Sequence, residues 1–319
     1  MVFLTTFAPQ ARLRCLHINL WLVAFVALAV AFSALAVDGA RSEGQASGLI
    51  AFIRADGVYV MRADGNGIRL LRRTGLWTAW VTWSPDGRKL AFLSYSTERG
   101  IWVMNADGTD PIHLADGTPA TSRPTWSPDS RRIAFATSDN GGSHIWVVNA
   151  DGSNLQRLMV PGSGSAPDWS PDGRRIVFSG SAQGPGIYLV NVDGSSLRKL
   201  MALGGWEDSP EPDWSPDGRR IAFVHPVPWP GPGNGTASND EIWVMDANGR
   251  SRVRLTDNHV PDHSPAWSPD GTRIAFVGAY AGRGSGEIYV INADGTGFRR
   301  LTHNHVAEAS PAWQPVAAP

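Results

Sequence analysis

Two stretches near the C-terminus carry residue types that do chemistry: T-D-N-H-V-P-D-H-S-P (256–265) and T-H-N-H-V-A-E-A-S-P (302–311). Between them they hold His259, His263, His303 and His305, with the carboxylates of Asp262 and Glu308. Imidazole nitrogen and carboxylate oxygen together suit a transition metal. A metal held there would activate water or polarise a carbonyl, the chemistry of a metal-assisted hydrolase or polysaccharide lyase. The same carboxylates also suit recognition of a cationic peptide group. A third use is humbler: Thr, Asn and Asp side chains close turns. Asp208, in G-G-W-E-D-S-P-E-P (204–212), sits in the corresponding place of another stretch. Trp206 beside it and Trp229 in a Pro/Gly-rich segment are anchors of the kind enriched at binding hot spots.

What positions these residues is a repeat. W-S-P-D-[GS] occurs at 83–87, 126–130, 169–173, 214–218 and 267–271, and a sixth Trp stands at 313. The spacings from Trp to Trp are 43, 43, 45, 53 and 46 residues. An [IL]-[AV]-F segment starts at 50, 90, 133, 176, 221 and 274, and an Asp/Asn-Gly turn closes at 65, 108, 152, 194, 249 and 295. Each unit therefore holds four short runs, A (P-x-W), B (I-A-F), C (I-W-V-M) and D (x-R-L). Aromatic and β-branched residues fill them and turn residues bound them, so they read as strands. Pro and Gly in S-P-D-G fit a tight turn from A to B, and N-A-D-G does the same from C to D. Four antiparallel strands at this period make a propeller blade.

The first unit begins at strand B (Ile50-Ala51-Phe52), and the last supplies only strand A (Pro311-Ala312-Trp313). Each fragment completes the other. The expected fold is all-β: a six-bladed β-propeller over residues 48–316, closed by three N-terminal strands plus one C-terminal strand. Strand parity puts the uniform A–B and C–D turns on one face. The variable B–C and D–A loops lie on the other, where binding usually sits. Asp208, Asp262 and Glu308 are then expected at the mouth of the central channel, with the histidines, Trp206 and Trp229 around it. The repeated Trp are expected to pack blade against blade. The Arg and Lys after each turn are expected to form a solvated rim.

Composition narrows the function. A net charge of −1 gives no electrostatic case for nucleic acid. The one cysteine, Cys15, excludes an internal disulfide or a multi-cysteine metal site. No G-x-S-x-G segment is present, so the elbow of a serine hydrolase is missing. The expectation is a monomer that needs no cofactor and performs no catalysis. At the N-terminus, Arg12 and Arg14 precede an apolar run over 20–37 that ends in A-L-A-V, the pattern of an export signal. Its length also suits a membrane anchor. Residues 1–37 are thus read as a signal peptide or membrane anchor, and 38–47 as a linker. The protein is expected to be exported, periplasmic or extracellular, and either free or held at the membrane.

W-S-P-D-G-[RT]-x-I-A-F followed by [IV]-W-V-M-[ND]-A-[DN]-G resembles the WD40-like (PD40) repeat of TolB-type propellers, over residues 49–313. The resemblance implies a periplasmic propeller of the Tol–Pal kind that binds a protein or peptide of the cell envelope. TolB carries an α/β domain before its propeller. The linker 38–47 is too short to be that domain.

Overall fold

Each W-S-P-D segment is a turn fastened by its own side chains. Ser84 Oγ donates to Asp86 Oδ1 at 2.6 Å and accepts the backbone N–H of Lys89 at 2.9 Å. Ser127, Ser170, Ser215 and Ser268 repeat both bonds. The Ser hydroxyl, and then the backbone N–H two residues on, hold Asp129, Asp172 and Asp217 below the usual carboxylate range. The C–D turns need glycine for two reasons. Gly249 has φ +87°, and a Cβ there would lie 2.5 Å from the Leu200 carbonyl oxygen of the preceding blade.

A computed structural model describes residues 48–315, apart from 76–77, 96–98, 117–121, 205–209, 229–237, 280–285 and 305. The readings of residues 1–47, Trp206, Asp208, Trp229 and His305 fall outside the described residues. Every element described is a strand, and the strands form six antiparallel sheets of four. This is the six-bladed propeller expected from the repeat. Blade 1 joins the two ends of the chain: Leu49–Arg54, Gly57–Arg62 and Arg69–Arg73 pair in order, and Glu308–Trp313 adds the innermost strand. Ile50 pairs with Trp313, and Gln314 N–H donates to the Leu49 carbonyl at 2.7 Å. Arg54 Nη2 meets Glu308 Oε1 at 2.6 Å across the same seam.

Blades 2 to 6 follow in chain order, with innermost strands ending at Trp83, Trp126, Trp169, Trp214 and Trp267. The core lies between blades. Trp83 packs with Ile53 and Val58 of blade 1, and Trp267 with Val224 and Ile242 of blade 5. The basic rim differs from expectation at its second position. Arg132, Arg175, Arg220 and Arg273 stack over the Trp of the following blade, at 4.8, 5.6, 4.6 and 5.0 Å from the ring centres. Their stems cover apolar surface while the guanidinium meets the ring's negative face.

Candidate functional site at the channel mouth

Strand A carries the site. Three residues before each Trp stand Trp80, Arg123, Ala166, Glu211, Ser264 and Ser310, one per blade. Five of the six have left-handed backbone: Trp80 (φ 44°), Ala166 (46°), Glu211 (40°), Ser264 (55°) and Ser310 (51°). None is glycine, so each holds strain of about 1–3 kcal/mol. The cause is a β-bulge. In blades 4 and 6, Ser165 to Asp168 and His263 to Ala266 each span one residue more than their partner strand. The extra residue re-aims the strand end, and one structural position receives five different kinds of side chain around the six blades.

Trp80, Ser122, Arg123, Ser165, Glu211 and Ser264 line a cavity of about 40 Å³ at this mouth. Below it lies a larger space of about 190 Å³, reached by Arg123, Thr125, Asp168 and Asp213. Arg123 Nη2 donates to Asp213 Oδ1, and Nη1 to the Pro265 carbonyl at 3.2 Å. Asp213 Oδ2 also accepts Trp267 N–H at 2.9 Å. Asp168 accepts the Thr125 hydroxyl at 2.6 Å and Trp214 N–H at 2.7 Å. Burial, then the like charge of Asp213, pushes Asp168 up to about 7. Glu211 Oε2 accepts Ser264 N–H at 2.9 Å. At the opposite end, Trp and Pro side chains of the W-S-P segments line a channel opening of about 400 Å³.

The carboxylates singled out from the sequence lie elsewhere. Asp262 is 1% exposed and Glu308 2%. The bulge explains their burial. Asp262 pairs with Gly278 and Trp267 with Ile274, four residues apart on the partner strand, so Asp262 shares the face of Trp267. That face looks into the preceding blade, not into the channel. Asn258 Nδ2 holds Asp262 Oδ2 at 2.7 Å, and Asn304 Nδ2 holds Glu308 Oε1 at 2.9 Å. Thr256 and Thr302 donate to the buried Glu241 and Glu287 at 2.6 Å. The two T-x-N-H segments thus clamp one blade to the next. Their histidines, among the described residues, share no centre: His259 and His303 are exposed, and His263 Nδ1 lies 3.7 Å from Asp240 Oδ2. Among the described residues, no three His, Cys, Asp or Glu side chains gather closely enough to hold a metal.

The ring at the mouth escaped the sequence reading. Its signal was available: within a constant P-x-W frame, the residue before Pro or Val changes in nearly every copy. A match to the PD40 family model, described as the TolB beta propeller domain, spans residues 47–227. The chain belongs to the TolB β-propeller family. Among solved structures, this TolB-family propeller is similar to TolB from Acinetobacter baumannii. Identity is 23% and the TM-score 0.72, covering 84% of this chain and 67% of that one. It is also similar to a putative TolB from Agrobacterium tumefaciens, at 22% identity and TM-score 0.64, over 85% and 99% of the chains. A chain in the nidogen/laminin complex shares the architecture at 12% identity and TM-score 0.61, over 84% and 98%. These likenesses show the fold. No curated protein matches the chain.

Proposed function

We propose that this TolB-family propeller is an exported, non-catalytic scaffold that binds a protein or peptide of the cell envelope through its variable face. One observation carries the reading: the bulged ring at the channel mouth, where six equivalent positions, five of them on strained backbone, present five different kinds of side chain. Strain of this kind is kept where a side chain must be aimed. Around the ring, the exposed His259 and His303 and the half-buried His263 extend the same face. The segments holding Trp206, Asp208, Trp229 and His305 are proposed to widen it. Export rests on the signal-like run at 20–37 and on the family.

In-cell photocrosslinking tests this. A crosslinking side chain at Ala166 or His303 is expected to capture one discrete envelope protein. The same group at Arg174, on the uniform face, captures none. Equal capture from both faces, or capture only at Arg174, rejects the reading.

A further inference from the structure

We propose that the channel mouth binds a primary ammonium group, carried by a lysine side chain or by the N-terminus of a partner peptide, between Trp80 and Glu211. The inference rests on reading the variable face as the binding face.

Charge comes first. Among the described residues, the walls of the mouth and of the space below it carry one guanidinium, Arg123, against the carboxyl groups of Glu211, Asp168 and Asp213. Arg123 is committed to Asp213 and to a backbone carbonyl. The two protein bonds to Asp168 come from neutral donors, a hydroxyl and a backbone N–H. The mouth is therefore short of positive charge, and a cation entering it meets low-dielectric walls where pairing is strong.

Shape comes second. Blades 2 and 5 face each other across a ring of six, so Trp80 and Glu211 stand on opposite sides of the same cavity. An aromatic side chain on one wall and a carboxylate on the other are the two groups that hold an ammonium ion. The volume of about 40 Å³ admits roughly three water-sized groups, enough for an ammonium and its last methylene.

The third observation is independent. Ser122 is 4% exposed, lines this cavity, and its Oγ has no hydrogen-bond partner. Buried hydroxyls are nearly always bonded. An ammonium has three N–H donors, and Ser122 Oγ and Glu211 Oε1 can accept two of them.

The consequence for Asp168 is a linked titration. The charged groups that face it are Asp213, which raises its pKa, and Arg123, which lowers it. A bound cation favours the ionised form of Asp168. For the lysine peptide, affinity is then expected to rise as pH increases through about 7 and to level off above; for the free N-terminus it is expected to fall again as the α-ammonium loses its own proton at about 8.

The test is an NMR titration of the full-length protein, read at the amides of Ser122, Ala166 and Ser264. The probes are three pentapeptides. One is acetylated with a central lysine. One has a free N-terminus and a central norleucine. One is acetylated with norleucine and has no ammonium group. At least one ammonium-bearing peptide is expected to bind about tenfold more tightly than the uncharged one. Which of the two does so distinguishes side chain from chain end. Glu211→Gln, which keeps an acceptor for Ser264 N–H, is expected to lower that affinity about tenfold. Ser122→Ala is expected to lower it about threefold and serves if the first variant is poorly folded. Asp168→Asn removes the pH step. Equal binding of all three peptides, or shifts confined to the W-S-P face, overturns the proposal. A partner crosslinked at Ala166 whose peptides bind regardless of their ammonium groups overturns it and leaves the scaffold function standing.

Discussion

Asp262 is a carboxyl group that the fold keeps protonated well above the usual carboxylate range. Burial pushes it up to about 7, and its Oδ1 has no hydrogen-bond partner. The sign follows from linkage. Below the unfolded value near 4 both states are protonated and nothing is lost. Between about 4 and 7 the unfolded chain releases the proton while the native chain retains it, so stability falls with rising pH, and above 7 the loss is complete. Asp262→Asn is expected to remove this loss. Its melting temperature should match that of the parent near pH 4 and exceed it at pH 8; identical curves across that range would refute the assignment. The sequence marked Asp262 as notable but misplaced it. Its loop leads into the innermost strand and so was expected at the channel mouth, but the bulge, which inserts one residue, turns Asp262 onto the face of Trp267. A bulge that places Trp80 or Glu211 at positive φ runs against their intrinsic preference, which is why no local rule announced it.

At the scale of the element, the turns were legible because their chemistry is local. Ser, Pro, Asp and Gly each do one job within five residues, so the pattern survives without knowledge of the rest of the fold. Ser215 shows the cost of breaking it. Its hydroxyl is buried and serves both the Asp217 carboxylate and Arg220 N–H. Ser215→Ala should destabilise by about 1–3 kcal/mol, read as a lower denaturant midpoint at unchanged slope. Gly249→Ala meets a left-handed backbone and a neighbouring carbonyl together. It should cost about 2 kcal/mol or more, well above an alanine substitution at an exposed strand position. What the repeat could not reveal was the use of its arginines. The basic pair after a turn, such as Arg131-Arg132 or Arg174-Arg175, looks like solvated charge, yet its second member lies on an indole one repeat further on, a contact that exists only after the ring forms.

For the molecule as a whole, circular completion was readable from the two incomplete units, and the seam at blade 1 confirms it. The seam contains a largely buried ion pair. Glu308→Ala leaves Arg54, 16% exposed, without its partner and should cost about 3 kcal/mol by chemical denaturation. A bolder trial uses the repeat itself. Inserting Asp-Gly between Pro315 and Gly48 regenerates a W-Q-P-D-G turn, and new ends can be opened at 230/231. This permutant should fold cooperatively, whereas a chain lacking 308–315 should not. A ribosome delivers Leu49 hundreds of residues before Trp313, so the first three strands wait with an unpaired edge until the closing strand Glu308–Trp313 has been made. Such an edge invites pairing with other chains. The strand that closes the ring therefore governs when the propeller stops being vulnerable to aggregation, and anything that delays its arrival lengthens that exposure.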